Sequence, residues 1–171
     1  MNQKPLQINS EIGVLKTVLL HRPGEELENL TPDYLKDLLF DDIPHLKVAQ
    51  QEHDEFANVL RDHGVEVLYL DELVTEALNN SDSLKAEFVD EMLAASKQDS
   101  RRVTQSLRDF LLSMPTNAMV RKIMAGVRKD EISLPPEHHQ QLHDMVEQDH
   151  YPFYLDPMPN LYFTRDPAAT I

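Results

Sequence analysis

The sequence predicts an α/β protein into which an all-helical bundle is inserted. Between Val14 and Leu70 a strand, a helix and a second strand follow one another, which is the order of an α/β unit. From about Glu72 to Gln148 strand signals disappear, and alanine, leucine, methionine and charged residues recur at helical spacing. At Tyr151 the chain returns to the α/β pattern.

The first strand is predicted from Val14 to Leu20, where β-branched residues and leucine are frequent. The turn residues Arg22-Pro23-Gly24 end it. Thr31 followed by Pro32 predicts the start of a short helix, because a hydroxyl N-cap precedes a proline at the first helical position. This helix carries Tyr34, Leu35, Leu38 and Leu39.

A longer helix is predicted from about Pro44 to His63, and Gly64 is its C-terminal stop. Val65 to Leu70 then predicts the second strand. His53 lies near the apolar stripe of the helix, which favours a partly buried structural histidine over a catalytic one. The stripe itself consists of Leu46, Ala49, Phe56, Ala57 and Leu60.

The helical region predicts four or five short amphipathic helices packed into a small bundle. Ser81 or Ser83 is the candidate cap of the first, and Pro135-Pro136 starts the fourth. The predicted inner faces are, in order, Leu84, Phe88, Met92 and Ala95; Val103, Leu107, Phe110 and Leu111; Ala118, Val120, Ile123, Met124 and Val127; and Leu142, Met145 and Val146.

The segment from Met158 to Asp166 carries an amide, an aromatic ring, a guanidinium and a carboxylate. Prolines flank it, which predicts an extended backbone and makes a helix unfavourable. In that conformation Asn160, Tyr162 and Thr164 share one face, and Leu161, Phe163 and Arg165 share the other. A carboxylate beside an aromatic ring suits a planar cation. Spacing alone favours another interpretation, an edge strand that ends in a solvated Arg165-Asp166 pair.

The charge of the chain argues against a nucleic-acid partner. Thirty acidic and sixteen basic residues give a formal net charge of −14, and such a surface repels phosphate backbones. The polar start, Met1 to Pro5, lacks the apolar core of a signal peptide. No apolar run approaches the length of a membrane span. We therefore expect a cytoplasmic protein with no membrane partner.

No cofactor and no metal are expected. The sequence contains no cysteine, which excludes disulfides and thiolate metal sites. His139, His143 and Glu147 have a spacing on a predicted helix that suits zinc. However, the glutamate that follows the first histidine in the metalloprotease motif is missing, so a solvated surface is the favoured interpretation.

Several motifs along the chain resemble, in order, those of one family. They are Ser10-Glu11-Ile12-Gly13 with Leu15 and Val18, His21-Arg22-Pro23-Gly24, Thr31-Pro32-Asp33-Tyr34, Leu38-Leu39-Phe40-Asp41-Asp42-Ile43-Pro44, Glu52-His53 with Phe56, Gly64-Val65-Glu66-Val67, Tyr151-Pro152-Phe153, Asp156-Pro157, and the segment from Met158 to Asp166. Together they resemble the arginine deiminases of the guanidine-modifying superfamily, which has the pentein fold. The resemblance runs from Glu11 to Ile171 and is weaker from Ser81 to His150.

The resemblance implies a partial pentein scaffold, an α/β propeller, with the helical bundle inserted into it. Residues 1–71 would form the first propeller module, 72–150 the bundle, and 151–171 the return to the scaffold. It also implies hydrolysis of L-arginine to L-citrulline and ammonia through a cysteine-linked intermediate. By this resemblance Asp166 is a catalytic carboxylate, Phe163 packs against the guanidinium, and Asn160 and the backbone carbonyl of Leu39 bind the amino-acid end.

The family's cysteine, histidine and second carboxylate would lie beyond Ile171. We therefore expect an N-terminal portion that is inactive by itself, that is marginal or aggregates in isolation, and that forms a homo-oligomer in the full-length protein. Two alternatives remain open. One is an amidinotransferase on the same scaffold, and the other is a non-catalytic acidic module that binds a partner.

Overall fold

A computed structural model describes residues 10, 12–32, 35, 40–96, 100–132 and 151–165. Strands and helices alternate at first and helices then dominate, which agrees with the predicted mixture of α and β structure. In chain order the elements are β1 (Thr17–Leu20), α1 (Glu25–Glu28), α2 (Leu46–Asp62), β2 (Glu66–Tyr69), α3 (Leu70–Leu78), α4 (Asp82–Ala95), α5 (Arg101–Leu112), α6 (Thr116–Ala125), β3 (Val127–Arg128), a 3-10 helix (Lys129–Glu131), β4 (Phe153–Leu155) and a second 3-10 helix (Pro159–Tyr162).

Strands β1 and β2 pair in parallel, with α2 as the connection between them. The register places Thr17 opposite Glu66 and Leu20 opposite Tyr69. The predicted strand-helix-strand unit is confirmed, although β1 begins at Thr17 and not at Val14. The reason is the length of its partner, because β2 has only four residues with which β1 can pair.

Helix α2 follows His45, whose ring nitrogen accepts a backbone N–H of the first turn, and it ends before Gly64, which has a φ of +78°. His53 and Ala57 are its buried residues. The expected burial of His53 is therefore confirmed, and its structural role stays a prediction. The placement of Phe56 on the inner stripe is wrong, because this side chain is 54% exposed. It precedes Ala57 by one residue and so points about 100° away from the buried face.

A hydrophobic core lies among α3 to α6 and the second pair of strands. Periodicity correctly predicted α4, α5 and α6, and Ser81 is the cap of α4. Helix α3 was not assigned separately. The buried members of this core are Leu78, Val89, Leu93, Val103, Leu107, Leu111, Met119, Val120, Ile123, Met124, Val127 and Leu155.

Some positions on the predicted inner faces are wrong. Leu84 and Ala95 are exposed on α4, and Ala118 is exposed on α6. The predicted Phe88 and Met92 do pack against the core and are partly buried, while Val89 and Leu93, one position beyond them, are the buried residues of α4.

A second sheet pairs β3 with β4 in antiparallel fashion. It was missed because Val127 was assigned to the preceding helix, whereas Gly126 ends that helix with φ +83° and ψ +164°. The backbone after β4 passes directly over this glycine. A Cβ there would lie 2.7 Å from the nitrogen of Pro157 and 2.8 Å from the carbonyl oxygen of Leu155.

Two predicted helices lie partly or wholly outside the described residues. The first is the short helix after Thr31, of which only Thr31, Pro32 and Leu35 are described. The second is the helix predicted to start at Pro135-Pro136. Helix α1 was missed, because it follows the predicted turn directly. None of the helices in the described ranges combines the length and the hydropathy that crossing a lipid bilayer requires.

Gly126→Ala and Gly64→Ala form a matched pair that tests the backbone crossing. Both glycines have a positive φ, but an added Cβ at Gly64 meets nothing within 4 Å. We expect Gly64→Ala to lower the free energy of unfolding by about 1 kcal/mol. Gly126→Ala should lower it by a further 1–3 kcal/mol or so, because the methyl group overlaps backbone atoms. Urea unfolding followed by circular dichroism measures both, and equal losses would contradict the crossing.

Candidate functional site

The segment predicted to be extended contains a 3-10 helix, Pro159–Tyr162, so that prediction is wrong. The N–H of Leu161 bonds the carbonyl of Met158 at 3.1 Å, and the N–H of Phe163 bonds the carbonyl of Asn160 at 3.0 Å. A proline tolerates the first turn of a helix, because its fixed φ suits the turn and its missing N–H is not needed there. Here Pro159 starts the helix instead of preventing it.

The turn also changes which side chains share a face. The predicted alternation placed Asn160 and Phe163 on opposite sides of a strand. A 3-10 helix has three residues per turn, so residues three apart lie on the same side of it. Asn160 and Phe163 have this spacing, and their backbones form the hydrogen bond that closes the turn. The turn thus joins the backbones of two residues that the predicted strand placed on opposite faces.

Two aromatic rings stand at the surface of this turn. Tyr162 and Phe163 are 49% and 48% exposed, and their ring centroids are 5.3 Å apart at an interplanar angle of 83°. In this edge-to-face arrangement the rings hold each other in a defined orientation. A half-exposed aromatic face is suited to a ligand with a planar cationic end.

The segment is fixed at both of its ends. At the first end the N–H of Met158 bonds the carbonyl of Met124, the penultimate residue of α6, at 2.9 Å. At the other end the hydroxyl of Thr164 donates to the carbonyl of Leu19 in β1 at 3.0 Å. The candidate site thus rests on the helical core on one side and on the parallel strands on the other. Neither anchor was predicted, and no spacing in the sequence indicates them.

A buried polar cluster follows the carboxyl end of β1. The Nε2 atom of His21 lies 2.9 Å from Oε1 of Glu26, and both side chains are buried. The same carboxylate oxygen accepts the backbone N–H of Gly24 at 2.6 Å. A buried carboxylate needs such partners, since an unpaired one would carry a large desolvation cost. Glu26 therefore holds the turn between β1 and α1 in a closed conformation. Sequence reasoning missed this residue, whose one signal is its place just after the His21-Arg22-Pro23-Gly24 turn.

Arg22 connects the same turn to α2. Its guanidinium donates two hydrogen bonds to the carboxylate of Asp54, at 2.7 and 2.8 Å. This hydrogen-bonded pair holds the pKa of Asp54 below its usual value and raises the pKa of Arg22. Both side chains are almost half exposed, so their contribution to stability is modest. The pair orients the turn more than it stabilises the fold.

His53, which precedes Asp54 on α2, lies near the ring of Tyr69, with 5.9 Å between the ring centroids. Burial lowers the pKa of His53; the charge of Asp54 opposes this shift, and Arg22, His21 and Arg61 reinforce it. Its Nε2 atom has no hydrogen-bond partner within the described ranges. The hydrogen bonds of Glu26 and Arg22 support the turn between β1 and α1.

An open cleft elsewhere contains none of the predicted site residues. It lies between α3 and α6, where Arg121 pairs with Asp71 at 3.0 Å. The cleft is lined by Asp71, Glu72, Thr75, Glu76, Asn79, Asn80, Asn117 and Arg121. Across the described part of the chain no group of three or more histidine, aspartate or glutamate side chains is placed to hold a metal ion.

Comparison with known proteins identifies the relatives of this chain. The family model described as "Arginine deiminase" matches residues 36–171. A protein of Bacillus cytotoxicus named "Arginine deiminase" is 58% identical over 167 residues, which are 98% of this chain. One of Staphylococcus epidermidis with the same name is 55% identical over 171 residues, all of this chain.

The chain belongs to the arginine deiminase family. It spans 40% of the length of each of these two relatives. The resemblance deduced from the ordered motifs is thereby confirmed. Two of the residues predicted to bind substrate, Asn160 and Phe163, lie in the segment of the 3-10 turn.

The four predicted site residues divide into two pairs. Asn160 and Phe163 lie on the surface of the 3-10 turn, and Asn160 takes part in contacts of its own. Asp166 and the backbone of Leu39 lie outside the described residues, as do His139, His143 and Glu147 of the zinc-like spacing. The roles assigned to all four site residues remain predictions.

His53→Phe should flatten the pH dependence of stability. In the folded chain the buried ring takes up a proton less readily than in the unfolded chain, where its pKa is about 6.5. Its contribution to stability is therefore present above that pH and is lost as the pH falls toward the lower folded-state pKa. Melting temperatures between about pH 7.5 and 5.5 should fall more steeply in the parent than in the variant. Equal slopes would contradict the burial effect.

Proposed function

We propose that the chain is the N-terminal portion of an enzyme that hydrolyses L-arginine to L-citrulline and ammonia. The observation that carries the proposal is the match of nearly the whole chain to arginine deiminases at 55–58% identity. The same match favours a deiminase over an amidinotransferase or a non-catalytic acidic module. The exposed aromatic and amide side chains of the 3-10 turn suit the two ends of an arginine molecule.

The proposed roles follow from the chemistry of a guanidinium. Its delocalised charge makes the central carbon a poor electrophile, so the group must be oriented by charge-assisted, bidentate hydrogen bonds. Asp166 supplies one such carboxylate and assists proton transfer to the leaving nitrogen. Phe163 packs against the guanidinium plane. Asn160 and the carbonyl of Leu39 bind the amino-acid end of the substrate.

The covalent steps need a nucleophile that this sequence lacks, since it contains no cysteine. In the proposed reaction a thiolate adds to the guanidinium carbon, a C–N bond breaks and ammonia leaves. Water then attacks the same carbon, which breaks the C–S bond, releases citrulline and returns the thiolate. We place the cysteine, the catalytic histidine and the second carboxylate in the remainder of the length that the relatives have. By itself the 171-residue chain is then inactive.

We extend the proposal to the architecture. Residues 1–71 form the first module of a pentein propeller, 72–150 the inserted helical bundle, and 151–171 the return to the scaffold. The parallel pair of β1 and β2 with its α2 connection is consistent with such a module. The core among α3 to α6 is consistent with the bundle. The full-length protein is proposed to be a cytoplasmic homo-oligomer.

Asp166→Asn in the full-length protein should abolish most of the activity. The amide keeps the size of the side chain but neither carries the charge nor takes up a proton, so we expect kcat to fall about 10²–10⁴-fold. Asp90→Asn is the matched control, because Asp90 pairs with Arg108 on the surface of the helical bundle. Citrulline formation from arginine is the measurement. Loss of activity in both variants, or in neither, would contradict the assignment.

Phe163→Ala should weaken the handling of substrate in the full-length protein. Loss of the ring from the guanidinium plane is expected to lower kcat/KM roughly tenfold, the size of a partly desolvated cation–π contact. Phe56→Ala is the control, since Phe56 is similarly exposed but lies on α2. An unchanged kcat/KM in Phe163→Ala would show that this ring does not touch the substrate.

A further inference from the structure

The hydroxyl of Thr164 forms a contact between two parts of the chain that are 145 residues apart in sequence. It donates to the carbonyl oxygen of Leu19, the third residue of β1, at 3.0 Å. Thr164 immediately follows Phe163 and precedes Asp166 by two residues. In sequence, the contact therefore lies between the aromatic residue Phe163 and the proposed catalytic carboxylate of Asp166.

The carbonyl of Leu19 lies on the edge of β1 that faces away from β2. The carbonyl of Lys16 points toward β2, since it accepts the N–H of Glu66 at 2.8 Å. Carbonyls alternate in direction along a strand, so those of Thr17 and Leu19 point to the opposite edge. There the Thr164 hydroxyl takes the place that a neighbouring strand's N–H would occupy. The parallel sheet thus supplies a second anchor for the site segment.

We infer that Thr164 is a positioning residue for the proposed reaction. This inference rests on the proposed function and adds to it a residue that touches neither substrate nor nucleophile. We expect the hydroxyl to fix the backbone just after Phe163, and with it the placement of the ring and of the proposed carboxylate two residues further along the sequence. Threonine suits the task because its branched Cβ restricts χ1 and directs the hydroxyl.

The expected effects on stability and on rate differ in size. A neutral, exposed hydrogen bond contributes little to folding, because water replaces the lost partner. Misplacement of a reacting group by about 1 Å can lower a rate on the order of 10²-fold. The other anchor, from Met158 to Met124, is made by main-chain atoms and persists in a Thr164 variant. Loss of the hydroxyl should therefore loosen one end of the segment while the fold remains intact.

The test uses full-length protein with Thr164→Val, which keeps the shape but removes the donor, and Thr164→Ser, which keeps the donor. We expect kcat in Thr164→Val to fall about 10–100-fold, with a much smaller change in KM. Its melting temperature should change by only a few degrees. Thr164→Ser should recover most of the parent's kcat. The split between kcat and KM and the rescue by serine are readouts that a merely structural role would not move.

Thr104→Val is the matched control. The hydroxyl of Thr104 also donates to a main-chain carbonyl at 3.0 Å at an exposed position, but its acceptor is the nearby Ser100, the residue that precedes α5. This variant should keep the parent's kcat. If Thr104→Val loses as much kcat as Thr164→Val, the effect is general and the inference is overturned.

Three further outcomes would overturn the inference. The first is a parent-like kcat in Thr164→Val, and the second is an equal loss of kcat in Thr164→Val and Thr164→Ser. With Asp166→Asn inactive in the same preparation, either result refutes the positioning role alone and leaves the proposed function standing. The third is absence of citrulline formation by the unmodified full-length protein, which would refute the proposed function and the positioning role together.

Discussion

The crossing of two backbone segments at Gly126 is the constraint on which the candidate site depends. Because this residue has no side chain, the strand that ends at Leu155 can continue through Pro157 in direct contact with the end of α6. The next N–H, that of Met158, then bonds the carbonyl of Met124. The 3-10 turn begins at the following residue. The position of its exposed rings therefore depends on the contact of this segment with the end of α6.

Hydrophobic periodicity predicted the elements that are long enough to show it. Helices α2, α4, α5 and α6 each repeat their apolar residues over at least two turns, and the parallel pairing of β1 and β2 follows from the helix between them. Short elements were missed for the same reason, since β3 has two residues and α1 has four. The prediction treated Pro159 as a helix breaker, whereas at the first position of a helical turn a proline is compatible with the turn.

The family could be predicted further than the geometry of the segment. A carboxylate beside an aromatic ring suggested a planar cation, but spacing alone favoured a solvated edge strand. Only the ordered motifs indicated the family and, by resemblance, the roles of Asn160, Phe163 and Asp166, which stay predictions. The contacts that hold the segment could not be deduced, because Thr164 to Leu19 and Met158 to Met124 join residues distant in sequence through single hydrogen bonds. The hydrogen bonds of Glu26 could not be deduced either. Its partners His21 and Gly24 are close in sequence, but nothing in the sequence marks the carboxylate as buried.

A segment anchored on two supports has a particular thermodynamic consequence. Proteins open locally in cooperative units, each with its own free energy of opening. The segment from Met158 to Thr164 is ordered only while both the end of α6 and the strand β1 are closed. The free energy of opening of this segment is therefore set by the less stable support. In the described structure the pair of β1 and β2, with four residues in each strand, is much smaller than the helical core. Amide hydrogens of this segment should then exchange with solvent together with those of the parallel strands and ahead of those in the helical core.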